Sequence, residues 1–211
     1  MTFSSLQDDI RAYLERGSIT DETVYDQLPN LINLAERRLS REVKIAGTIA
    51  VVTSNMTTGT SVYAKPDRWR ETISISVGTG VGNNTRVILG PRAYEFVRSV
   101  NPDPTVTDQP RFYSDYNYSN WLFGPTPDAN YPYEVVYHEQ PMLLDVTNQT
   151  NWWTEYAPNA LLYATLLETT PFLKNDERIS VWQGFYDRAL ASLNGEDVRQ
   201  IVDRTIVRRE D

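Results

Sequence analysis

His138 is the one histidine of the chain, and cysteine is absent. These two facts remove most side-chain chemistry at the outset. There is no thiol nucleophile, no disulfide, no thiolate metal site and no second imidazole to share a metal or relay a proton. His138 itself lies in "YPYEVVYHE", whose alternation predicts a strand, so it is read as a strand residue between Tyr137 and Glu139. Gly78, Gly80 and Gly82 in "SVGTGVGNNT" form the next pattern with chemical meaning. A dinucleotide fingerprint would place glycine at 83, where Asn83 stands, and would lead into a helix, whereas "TRVIL" follows as a strand. A hairpin loop is the expectation. The run "GPTPDANY" likewise leads into a strand, so Pro125, Pro127, Asp128 and Asn130 are read as turn punctuation. The acid pairs Asp8/Asp9 and Glu196/Asp197 fall on helix ends or exposed faces, where solvated carboxylates are the rule. No catalytic residue, metal ligand or cofactor site is assigned, and the protein is not expected to be an enzyme.

Aromatic residues offer a different chemistry. Tyr113, Tyr116, Tyr118, Trp121 and Phe123, followed by Tyr131, Tyr133 and Tyr137, are either a stacking platform for a sugar or the core of a small sheet. A β-domain that binds carbohydrate or another ligand through exposed Tyr and Trp is therefore the alternative function. Exposure of Tyr113, Tyr116 and Trp121 would mark it.

Composition sets wider limits. With 211 residues, 40% hydrophobic and 23% charged, the chain is long enough for one substantial core or for one domain with a helical and a β part. A formal charge of −8 disfavours a general nucleic-acid surface, which needs concentrated Lys and Arg. Four Asn-x-Ser/Thr matches, at Asn55, Asn83, Asn117 and Asn148, occur without a secretion signal, because "MTFSSLQDDIRAYLERG" has acids and no apolar core. Synthesis in a cytoplasm is expected, with no membrane partner.

The elements that position these residues fall into zones. Residues 1–47 read as helical: Leu6, Ile10 and Leu14 recur every four residues, with Ser4 or Ser5 as cap and Gly17 after the end. "DQLPNLINLAERRLSREVKI" carries an apolar stripe of Leu28, Leu31, Ile32, Ala35 and Leu39, and opposite it a charged face of Glu36, Arg37, Arg38, Arg41, Glu42 and Lys44. Residues 48–141 change to period two, in short β-branched runs separated by Gly, Asn and Pro. "PRAYEFVRSVNPDP" interrupts them with a short helix near 91–99, started by Pro91, exposing Arg92 and Arg98 and packing Tyr94 and Val97. Residues 142–195 return to helix. "APNALLYATLLET" is apolar all round, from Pro158 to Pro171, and the last long helix places Ile179, Trp182, Tyr186, Ala189 and Leu193 on one face, with Gly195 as its stop. Residues 196–211 form a tail, with Val198, Ile201, Val202, Thr205 and Ile206 at helical spacing and Arg199, Arg204, Arg208 and Arg209 outside. The fold class is α+β: a helical bundle from both chain ends with an inserted antiparallel sheet or sandwich.

Three stretches carry a more specific likeness. "LPNLINLAERRLSREVKI" (28–45), "WLFGPTPDANYPYEVVYHEQPMLL" (121–144) and "TNWWTEYAPNALLYATLLETTPFLKNDERISVWQGFYDRALASLNGED" (150–197) stand in an order that resembles the head-to-tail adaptor proteins of tailed, podovirus-like bacteriophages. The match is strongest in the C-terminal third. It implies a structural virion protein of the neck, between head and tail. Such adaptors form a ring of about twelve copies beneath the portal, bind tail or nozzle proteins below, and let double-stranded DNA pass through the lumen without specific binding. A closed ring needs heterologous contacts, for which Arg37, Arg38 and Arg41 on one side and Asp176 and Glu177 on the other are the candidates. The resemblance also implies that the C-terminal segment docks into the portal, through Val198, Ile201, Val202, Ile206, Arg208 and Arg209.

Overall fold

A computed structural model describes residues 1–15, 22–78, 85–172 and 177–206. In chain order it contains α1 (Phe3–Leu14), α2 (Glu22–Tyr25), α3 (Leu28–Glu42), β1 (Ile49–Asn55), β2 (Val62–Ala64), β3 (Trp69–Val77), β4 (Val87–Ile88), β5 (Gly90–Pro91) and α4 (Tyr94–Val100). There follow β6 (Phe112–Asp115), β7 (Asn120–Gly124), β8 (Pro132–Glu139), α5 (Trp152–Tyr156), α6 (Pro158–Glu168) and α7 (Arg178–Ile206). The fold is α+β. It divides into two compact units, Met1–Thr48 with Gln140–Asp211, and Ile49–Glu139.

In the helical unit the apolar stripes meet in one core. Leu6, Ile10 and Leu14 of α1, Leu28, Ile32, Ala35 and Leu39 of α3, and Trp182 and Tyr186 of α7 pack around α6, from which Ala160, Leu161, Ala164 and Leu166 are buried. Helix α6 has apolar residues on every side because it is surrounded, and Pro158 enters it at the first turn, where no backbone N–H is needed. Helix α1 is capped at Thr2, two residues before Ser4 and three before Ser5. The Thr2 side chain accepts from the Ser5 amide at 3.1 Å while the Thr2 amide donates to Ser5 Oγ at 2.9 Å, a reciprocal capping box. Glu15 ends this helix in the left-handed region at φ 55°; Gly17 lies outside the described residues.

Two sequence expectations fail in this unit. Glu36 is not on the solvated face of α3: it is 1% exposed. It follows Ile32 by four residues and precedes Leu39 by three, so the helical period places it at the margin of the buried stripe. Gly195 does not stop α7, which runs on to Ile206. A glycine cap requires a positive φ, and Gly195 keeps an ordinary one, with open space where a Cβ would stand.

The β unit holds two four-stranded sheets, ordered β1-β8-β3-β4 and β2-β7-β6-β5. Among the described strands the pairings are antiparallel except the short β5–β6 pair. β3 and β4 pair antiparallel, Ser76 opposite Ile88 and Val77 opposite Val87, on either side of the glycine-rich loop; Gly80, Gly82 and Asn83 lie outside the described residues. The Gly124–Tyr131 segment is a link rather than a hairpin, since β7 belongs to one sheet and β8 to the other. It contains a cis Gly124–Pro125 bond, and the Pro127 carbonyl accepts from the Gly59 amide at 2.8 Å. Pro91 does not open the short helix either. It sits in β5, and α4 starts at Tyr94 with Val97 buried and Tyr94 exposed.

Between the sheets the core is aromatic. Tyr63 packs edge-on against Phe123 and Tyr133 at 5.3 and 5.7 Å between ring centres. Thr72 Oγ1 accepts from both indoles that flank it, Trp69 Nε1 at 3.1 Å and Trp121 Nε1 at 3.0 Å, which joins β3 of one sheet to β7 of the other. Lys65 is the unusual member. Its side chain is 2% exposed, with the ammonium 3.5 Å from the centre of the Trp69 ring, 2.7 Å from Asp115 Oδ1 and 3.0 Å from the Asn117 carbonyl.

Candidate assembly interface

The charged residues of α3 separate into three environments. Arg37 and Arg41, one turn apart, are exposed and form no ion pair among the described residues. Arg38 is already engaged within the chain. Its Nε donates to Glu42 Oε1 at 2.9 Å, a terminal nitrogen reaches Glu168 Oε1 at 3.3 Å, and the guanidinium lies 4.9 Å from the centre of the Tyr186 ring. The Tyr186 hydroxyl donates to Glu42 Oε2 at 2.6 Å, and burial followed by that bond pushes the phenol well above its ordinary range. Arg38 thus ties α3 to α6 and α7. It has little freedom left for a neighbour.

Glu36 occupies the third environment. Its Oε2 accepts from the Leu144 amide at 3.1 Å and its Oε1 from the Asn151 side-chain amide. Asn151 also donates to the Met142 carbonyl at 2.8 Å and caps α5 by accepting from the Trp153 and Thr154 amides. One carboxylate therefore fixes the path from Met142 to the start of α5. Burial pushes Glu36 up to about 7, against the lowering effect of its two hydrogen bonds and of Arg37.

A cleft of about 300 Å³ opens beside this knot, lined by Ile45, Ala46, Gly47, Trp152, Tyr156, Leu193 and Glu196. Trp152 and Tyr156, one turn apart on α5, stack at 5.5 Å and 29°. Gly47 is required here, because a Cβ would stand 2.3 Å from the Trp152 indole. Tyr156 is 67% exposed. Glu196 at the rim and Glu155 on α5 are exposed and make no ion pair among the described residues. The sequence reading missed this site. Its detectable trace was the aromatic i, i+4 pair in "NWWTEY"; the glycine and the α7 residues that complete the cleft are remote in sequence.

The remaining candidates are scattered. Glu177 is exposed just before α7, whereas Asp176 is outside the described residues. Val198, Ile201, Val202 and Ile206 lie on the helical backbone of α7 beyond the last described side chain, and Arg208 and Arg209 are outside the described residues. His138 is half-buried on β8, opposite Ile49 of β1 and Glu71 of β3. Asp8 pairs with Arg11 at 2.8 Å on the surface of α1. Of the three aromatics that would mark a sugar platform, Tyr113 and Trp121 are packed, 5% and 1% exposed, and Tyr116 alone is open. Among the described residues no group of three or more His, Cys, Asp or Glu side chains could hold a metal ion, and no described helix is long and apolar enough to cross a membrane.

A comparison with curated proteins gave no match. A family model described as "SU10 adaptor protein" matches residues 1–209. This is consistent with the head-to-tail adaptor character read from residues 28–45, 121–144 and 150–197. With nearly every residue inside the match, the chain belongs to the SU10 adaptor protein family, a family of phage structural proteins.

Proposed function

We propose that this protein is the head-to-tail adaptor of a virion neck: a ring of about twelve copies under the portal, joining capsid to tail and leaving a channel for DNA. The observation that carries the reading is the family match over residues 1–209. The physical features agree with it. A ring-former needs two different patches on one rigid unit, and the helical unit offers an exposed basic helix face and an acidic aromatic cleft. A net charge of −8 suits a lumen that repels phosphate and keeps the duplex mobile. The partners in this reading are the portal above and tail or nozzle proteins below. The segment 196–211 engages the portal through Val198, Ile201, Val202, Ile206, Arg208 and Arg209.

Co-sedimentation with the cognate portal ring, followed by electron microscopy of the pellet, tests this function. Stoichiometric recovery as a second ring below the portal is expected. A chain that stays in the supernatant beside an intact portal ring would overturn it. Removal of residues 196–211 should leave a folded protein that no longer pellets with the portal, and retained binding would detach the tail from the proposal.

A further inference from the structure

On α3, Leu34, Arg37 and Arg41 follow the i, i+3, i+7 period of one helix face. Leu34 is 48% exposed and both arginines are open to solvent. This face pairs with no carboxylate among the described residues, whereas Arg38 next to it is bonded to Glu42 and Glu168. Two like charges one turn apart repel, and the buried Glu36 beside Arg37 offsets only part of that. The cleft beside α5 has the opposite character. It is concave, carries a stacked Trp152–Tyr156 pair, and holds Glu196 at its rim with Glu155 on the same helix as the aromatics. Among the described residues its lining contains no cation.

We propose that the Leu34–Arg37–Arg41 face of one copy docks into the Trp152–Tyr156–Glu196 cleft of the next copy. Guanidinium groups are the cations that stack on aromatic faces and also pair with a carboxylate, so two arginines and an exposed leucine fit a cleft with two rings, one acid at its rim and a second on the helix that carries the rings. The two surfaces differ, so the contact is heterologous, and repetition around an axis closes a ring. This inference rests on the ring reading and names its contact. It also replaces part of the candidate set: Arg38 is satisfied within its own chain, and Glu155 and Glu196 take the acidic role assigned to Asp176 and Glu177.

Charge reversal tests it on the full chain. One variant carries Arg37→Glu and Arg41→Glu, the other Glu155→Arg and Glu196→Arg; all four side chains are exposed, so circular dichroism and melting should match the wild type. Each variant alone is expected to lose ring formation on the portal by on the order of a hundredfold in half-saturating concentration, because like charges meet at every contact. An equimolar mixture should regain it, since each altered face then meets its complement in an alternating ring. Variants that assemble like the wild type would overturn the contact and leave the ring standing. Loss without recovery in the mixture would overturn the pairing of these two surfaces. A wild-type chain that forms no ring on the portal would overturn the contact together with the reading beneath it.

Discussion

The two units solve the same problem, a core made from one short chain, with different side chains. The helical unit is filled mainly by Leu, Ile and Ala on helical periods, and its notable buried charge, Glu36, is held by a backbone amide and an asparagine. The β unit is filled largely by Tyr, Trp and Phe, and the Trp69 and Trp121 indoles and the Lys65 ammonium find partners in the gap between sheets. Aliphatic packing needs only shape, whereas an indole must also find an acceptor for its N–H. The β core should therefore be the less tolerant of the two.

Trp121→Ala is the strongest test of that contrast. It deletes a side chain that is 1% exposed and removes one of the two indoles that donate to Thr72, and is expected to cost about 3–5 kcal/mol, read by urea denaturation. A cost under about 1 kcal/mol would mean that the β core tolerates a hole better than an aliphatic core does.

Glu36 probes the helical unit by pH. Its folded value of about 7 lies above the ordinary 4.5, so the folded chain binds the extra proton. Stability from this group is complete below about pH 4.5 and is lost as pH rises through about 7. At pH 8 the loss is on the order of 3 kcal/mol. Glu36→Gln should remove this dependence, so the stability difference between wild type and variant should change across pH 5 to 8. A constant difference would show that Glu36 does not titrate in that range.

Much of the helical unit was legible in the sequence, and Glu36 shows where legibility ended. Leu6, Ile10, Leu14, Leu28, Ile32, Ala35, Leu39, Trp182 and Tyr186 all lie in the buried core, as their spacing predicts, because a helix face is a local property. The partners of Glu36 lie 108 and 115 residues away, so nothing near it in sequence marked it as buried. The β unit divides in the same way. Its strands were visible as alternating runs, but their partners were not: the turn residues between β7 and β8 look alike whether the chain folds back on its own sheet or moves to the other. The cleft was hidden for the same reason, since Gly47, Trp152 and Leu193 come from three separate segments.

Thr72→Val is a smaller test of the cross-sheet link. It keeps the shape and removes the acceptor of Trp69 and Trp121, and should cost about 2 kcal/mol in the same denaturation assay. An unchanged midpoint would assign the β core to packing alone, like the helical one. The smallest effect has the opposite sign. Gly195→Ala, at a helical position with open space for the methyl group, should stabilise α7 by about 1 kcal/mol, seen as greater helicity and slower amide exchange around it. Destabilisation would mean that the chain needs a break there.

At 29 residues, α7 is about 43 Å long. Of its described side chains Trp182, Tyr186 and Leu193 pack on the core, and about 20 Å of helical backbone follows Leu193. Helical backbone is stiff, so a change of direction at Leu193 is carried along its length. A tilt of about 5° at Leu193 moves the far end of that stretch by almost 2 Å, about a third of one helical turn. Small repacking around Trp182 and Tyr186 would thus be converted into a displacement large enough for a bound neighbour to feel.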